Sequence, residues 1–196
     1  MARPVAREEI VDYATYEDER PAFRAAVLTA KEARRVHVGE YLTLLFENRL
    51  TIRYQIQEMI RTERIVRERD IRHEIETYND LLGGPGELGV TMLIEIDDPK
   101  ARAERLARWL DVPDRVYLRL ADGELVRARV DERQRDDERI STVHYLRFDV
   151  RGRVPIRAGC DHPELATEVP LSDVQRAALA EDLREEPVLS GTGQPR

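Results

Sequence analysis

Residues 34–65 read RRVHVGEYLTLLFENRLTIRYQIQEMIRTERI, and within them one periodicity gives way to another. From Val36 to Phe46 the apolar residues crowd together, Val-His-Val and then Tyr41-Leu-Thr-Leu-Leu-Phe46. That run reads as a strand interrupted by a tight bend at Gly39. A continuous helix through Leu42, Leu45 and Phe46 is the alternative, because a short apolar run spans too few periods to separate the two. Asn48 suits a helix N-cap. After it, Ile52, Ile56, Met59 and Ile60 recur at helical spacing and make one apolar stripe. Glu47, Asn48 and Arg49 are packed at the changeover.

On the N-terminal side, residues 1–20 form an acidic, weakly periodic extension in which Val11, Tyr13 and Tyr16 can dock on the body. Pro21 then opens a helix carrying Phe23, Val27, Ala30 and Ala33 on one face. On the C-terminal side a helix runs from Asp70 to Leu82, burying Ile71, Ile75, Tyr78 and Leu82, and Gly83-Gly84-Pro85-Gly86 stops it. Val90 to Ile96 reads as a strand, and Pro99 starts a helix to about Leu110 that contains Trp109. Arg115 to Val130 alternates as a hairpin turned at Asp122-Gly123. The stretch DERQRDDERIS, residues 131–141, is a solvated loop. Thr142 to Val150 and Val154 to Cys160 read as further strands, and Asp161-His162-Pro163 forces an extended exit. A last helix spans Leu171 to Leu183 with Val174, Ala178 and Leu179 inward, and residues 187–196 form a mobile tail. Helices come first and strands later. The expected fold class is therefore α+β, one domain over residues 21–186, with a mainly antiparallel sheet packed against several helices.

A chain of 196 residues with 41% apolar content buries an independent core. The net charge of −7 opposes duplex nucleic acid or an anionic membrane as partner, since phosphate contacts need clustered cations. Of the 32 basic residues only Lys31 and Lys100 are lysine. That bias fits anion recognition by guanidinium forks, or simply GC-rich codon usage. Cys160 is the one cysteine, so no internal disulfide forms and no iron–sulfur cluster can be held by cysteines of this chain alone. The N-terminus has no apolar core of a signal peptide, and the expected location is cytoplasmic.

Four groups of residues are candidates for chemistry. Glu47 stands at a helix start, where the dipole favours a carboxylate. Arg49, Arg53 and Gln57 follow one turn apart and form a polar row suited to a small anion or a partner's acidic loop. The plainer alternative is a solvated helix face with internal ion pairs. Cys160 and His162 are two residues apart and share a face of a strand at about 6 to 7 Å. Together they offer two zinc ligands or a thiol beside its base, with His37, His73, His144, Glu95 and Asp161 as the remaining suppliers at no ligand spacing. His144 shares a strand face with Thr142 and Leu146, and the default for it and for His162 is a hydrogen-bonded structural histidine. The glycines at 83–86 follow a helix and precede a strand, the reverse of a phosphate-cradling order.

The run ARRVHVGEYLTLLFENRLTIRYQIQEMIRTERI, with TMLIEI at 91–96, VHYLRF at 143–148 and the triplet Asp161-His162-Pro163, resembles a bacterial family known as domain of unknown function 3501. The resemblance extends from about Arg24 to the last helix. It carries no catalytic or binding residue onto these positions. It implies a setting beside a rubrerythrin-like protein and a cysteine-rich iron–sulfur oxidoreductase of the heterodisulfide-reductase type. The expected function is then a non-catalytic accessory or binding protein of a redox system, with a protein partner, no cofactor of its own, and Glu47, Arg53 and Gln57 as the recognition surface. A small metal-dependent enzyme or metal carrier built on His144, Asp161 and His162, with Glu47 or Glu95 as a further ligand, is the alternative, and a homodimer module is a third.

Overall fold

Gly39 makes the bend that the sequence implies. Its φ of +70° lies in the left-handed region that glycine tolerates. It turns β1 (Arg35–Val38) back on β2 (Leu42–Phe46) as an antiparallel hairpin with Val36 opposite Leu44. The strand reading of residues 36–46 holds and the helix alternative falls. These elements belong to a computed structural model that describes residues 4–130 and 138–184. Most of the expected solvated loop, residues 131–137, and the expected tail, residues 187–196, lie outside the described residues.

Asn48 ends β2 and caps α2 (Arg49–Glu63) by accepting from the Thr51 amide at 3.0 Å. Ahead of the hairpin runs α1 (Tyr13–Glu32), and after α2 come α3 (Glu68–Asn79), β3 (Glu87–Ile94), α4 (Pro99–Arg108) and the single turn α5 (Val112–Arg115). The strand-rich part follows as β4 (Val116–Arg119), β5 (Leu125–Arg127), β6 (Arg129–Val130), β7 (Val143–Asp149), β8 (Arg157–Cys160) and β9 (Thr167–Pro170). The helix α6 (Asp173–Arg184) closes the fold.

The class is α+β, and every strand pair is antiparallel. The strands divide into two sheets, one ordered β1-β2-β3-β7-β6 and one ordered β5-β4-β8-β9. The expected hairpin over 115–130 is β4 and β5, turned at Gly123. Its far end, β6, crosses to pair with β7 in the other sheet. The inner faces of both sheets share one apolar core. Leu44, Met92 and Phe148 enter it from the first sheet, Leu118 and Ala158 from the second, Trp109 from the end of α4 and Leu179 from α6. A smaller apolar cluster joins Ile52, Ile56 and Ile60 of α2 to Ile71 and Ile75 of α3, with Val5 and Ile10 of the N-terminal segment packed into it.

Three local expectations need correcting. The first helix begins at Tyr13, not at Pro21, because Asp12 caps it by accepting from the amides of Ala14 and Thr15 at 3.0 and 3.2 Å. Pro21 lies in the interior of α1, where a missing N–H normally costs about 3 kcal/mol. Side chains just ahead of it offset that cost: Tyr16 and Arg20 both bond Glu58 of α2, and Glu17 pairs with Arg61. Val174 faces outward at 66% exposure, because α6 turns Ala178, Leu179 and Asp182 inward instead. The strand β9 was not expected at all. Among the described residues no helix is long and apolar enough to cross a membrane.

Candidate functional site

The junction of β2 and α2 is built around Glu47. Its amide still bonds the Gly89 carbonyl of β3 at 2.9 Å, so the ladder fixes the residue before the helix starts. The side chain is 5% exposed, and both carboxylate oxygens are claimed: Thr51 donates its hydroxyl at 2.5 Å and Thr91 of β3 at 2.6 Å. Short O–H to carboxylate bonds of this kind are the strong class. Tyr145 faces Thr91 across the β3–β7 ladder, and burial followed by the nearby Glu47 charge pushes its phenol up.

The polar chain continues inward from there. The Asn48 amide group donates to Asp182 of α6 at 3.3 Å. Asp182 takes a two-pronged grip from Arg34, at 2.7 and 2.9 Å, and both side chains are almost fully buried. Arg34 also donates to the Ala30 carbonyl at the end of α1. A line of hydrogen bonds thus runs from Thr91 through Glu47, Thr51, Asn48 and Asp182 to Arg34, tying together α1, β2, α2, β3 and α6. Thr51 was missed by the sequence reading, although its capping-box spacing from Asn48 is a signal that points to it. Nothing local pointed to Thr91, Arg34 or Asp182.

The row Arg49, Arg53 and Gln57 is occupied by the chain's own residues 5–11. Glu9 pairs with Arg49, and Arg53 donates to the Glu9 carbonyl at 3.0 Å. Gln57 accepts from the Val11 amide at 2.7 Å and donates back to the Val11 carbonyl.

The structure does not bring Glu47, His144 and His162 together. On β7, His144 points to the core face, opposite Met92, while Glu47 bonds Thr91 on the outer face. His144 donates through Nε2 to the Ser141 carbonyl at 2.9 Å, and burial pushes its pKa down. His162 lies beyond β8, beside Trp109, with Nδ1 accepting from the Glu164 amide and Nε2 3.5 Å from Asp111. Asp161 is exposed and paired with Arg127, whose charge holds the carboxyl below its usual range. Cys160 is buried in the main core, and desolvation pushes its thiol up, away from the reactive thiolate. Among the described residues no three His, Cys, Asp or Glu side chains gather in a way that could hold a metal ion.

What the fold does present is the outer face of the five-stranded sheet. Register places Arg35, Leu45, Thr91 and Tyr145 in one row and His37, Thr43, Leu93 and Val143 in the next. One end of this face is covered, because the chain after α3 crosses it at Gly89, where an added Cβ would lie 2.0 Å from the Leu81 carbonyl oxygen. The other end is open, with Val143 37% and Tyr145 36% exposed. Beside them Thr43 gives its hydroxyl proton to Glu95. That proton is the only one it has, so the 2.8 Å contact to His37 is a bond donated by Nδ1.

The family model described as "Protein of unknown function (DUF3501)" matches residues 4–183. A crystal structure of a novel protein of unknown function from Burkholderia pseudomallei K96243 is 34% identical to this chain. That match covers 92% of this chain and 100% of the other, with a TM-score of 0.85. No curated protein matches the chain.

Proposed function

The chain belongs to the DUF3501 family, and we propose that it works as a cytoplasmic accessory module that docks a protein partner on the outer face of its five-stranded sheet. The observation that carries this reading is the open end of that face. Two large apolar side chains, Val143 and Tyr145, stand exposed on adjoining rows, with Leu93 half-buried beside Val143, exposed Arg35 and His37 at the far ends of those rows, and exposed Glu95 bonded to Thr43 between. A small apolar centre with a polar, charged rim is the usual composition of a protein interface. The partner is an iron–sulfur or rubrerythrin-type redox protein. Support for that choice comes from the setting the family resemblance implies and from a chain with one cysteine, itself buried. Glu47 then serves the surface indirectly, since its carboxylate accepts from the Thr91 hydroxyl and so fixes the residue next to Tyr145.

Purification of the tagged protein from its native host, beside a Val143→Asp variant, tests the reading. The wild type is expected to retain an iron–sulfur or rubrerythrin-type protein and the variant to lose it. Recovery of the wild type alone, recovery of only a second copy of the chain, or equal retention by the variant would overturn the proposal.

A further inference from the structure

The N-terminal segment and the helices it lies on are related as ligand and binding site. Residues 5–11 run over the groove between α2 and α3, two extended ends around one 3-10 turn at Arg7–Glu9. Side-chain amides clasp both ends. Asn79 accepts from the Val5 amide at 2.9 Å and donates to the Val5 carbonyl at 3.0 Å, and Gln57 treats Val11 in the same two-way manner. A carboxamide that answers both the N–H and the C=O of one residue reads backbone, as a neighbouring strand would. Side-chain selection comes from the sockets. Val5 and Ile10 are 2% and 4% exposed among Ile52, Ile56, Ile60, Ile71, Ile75 and Leu82. Glu9 is held by Arg49, and Arg53 grips its carbonyl. The occupant leaves one donor unanswered, for the Nε of Arg49 is buried without a hydrogen-bond partner.

We infer that the α2–α3 groove is a peptide-binding site whose resident ligand, residues 5–11, is displaceable by a segment of another protein with the same chemistry. That chemistry is an apolar residue, an acidic residue four positions later and an apolar residue directly after it. Three features carry the inference: backbone recognition by Asn79 and Gln57, a socket pattern that any such segment satisfies, and a guanidinium that a two-pronged carboxylate would fill better than Glu9 does. The groove is built by α2, α3 and residues 5–11, and the inference does not rest on what docks on the sheet face.

The test uses the full chain carrying Val5→Asp and Ile10→Asp, which loosens the resident segment, and a fluorescent synthetic peptide of wild-type residues 1–12. Anisotropy is expected to show peptide binding at least about tenfold tighter to this variant than to the wild type, whose site is mostly filled. Adding Asn79→Ala to the variant should abolish it. No binding to a variant that retains wild-type circular dichroism, or binding indifferent to Asn79→Ala, overturns the inference. Hydrogen exchange on the wild type supplies an independent readout. The Val5 and Val11 amides should exchange by local opening, well ahead of the α2 amides. Exchange only with global unfolding, or a variant that does not fold, would make the segment a fixed part of the core and overturn the inference equally.

Discussion

Asp182→Ala removes the carboxylate that anchors α6 to the body. Arg34 loses two charge-assisted bonds, at 2.7 and 2.9 Å, and Asn48 loses the acceptor at 3.3 Å. The guanidinium stays where it was, 7% exposed beneath α6. Deleting one partner of a buried pair costs about 3–5 kcal/mol, most of it the desolvation of the charge left behind. For a chain of this size each kcal/mol moves Tm by about 2–4 °C, so the expected drop is about 6–20 °C. Replacing both partners with apolar groups, Arg34→Met with Asp182→Leu, removes both buried charges together and should recover most of the loss. Urea unfolding followed by far-UV circular dichroism on the wild type, Arg34→Met, Asp182→Leu and the double variant closes the cycle, with an expected coupling of at least about 2 kcal/mol. An Asp182→Ala cost below about 1 kcal/mol, or a double variant no better than the sum of the singles, would refute the view that this pair is shielded from water and holds the helix.

Two further outcomes follow from the core. His144 is buried neutral, so as pH falls past its ordinary value of 6.5 the unfolded chain takes up a proton before the folded one does. Stability should therefore decline from about pH 7 downward, and His144→Leu should flatten that part of a Tm-against-pH profile; an unchanged slope would remove His144 as its source. Gly89→Ala places a methyl group 2.0 Å from the Leu81 carbonyl, with backbone on the other side of the contact. A loss of about 1–3 kcal/mol or more is expected in thermal or urea unfolding, and a neutral result would mean that the crossing over β3 is not packed as described.

The sequence was most legible where neighbours in the chain decide the outcome. The bend at Gly39, the cap at Asn48 and the stripe of Ile52, Ile56 and Ile60 each rest on residues within one or two turns of each other, and each stands in the structure. Pro21 misled because a proline normally marks a helix start. Here the capping Asp12 and the grip of Tyr16 and Arg20 on Glu58, 38 to 42 residues away, outweigh it. The division into two sheets depends on β6 leaving the hairpin for β7, a choice made by tertiary packing and invisible in an alternating pattern. The site shows the same divide. Glu47 was read from its place at a helix start, and Thr51 is four residues away. Thr91 is 44 residues away and Asp182 is 134 from Asn48, so no window along the chain could contain them. Arg49, Arg53 and Gln57 were read as a row for a small anion or a partner's acidic loop, and nothing in their spacing reveals that residues 5–11 of the same chain lie on it.

The buried pair of Arg34 and Asp182 joins residues 148 positions apart, and Gln175 reaches back 140 positions to the Arg35 carbonyl. The hairpin at the start of the chain is thus finished by the helix at its end. A ribosome adding about 5–20 residues per second delivers Asp182 some 7–30 s after Arg34. Until it arrives, a guanidinium waits without the carboxylate it is shaped to meet. A product stalled before α6 therefore has an unfinished seam at Arg34 and Arg35, open until Asp182 and Gln175 emerge.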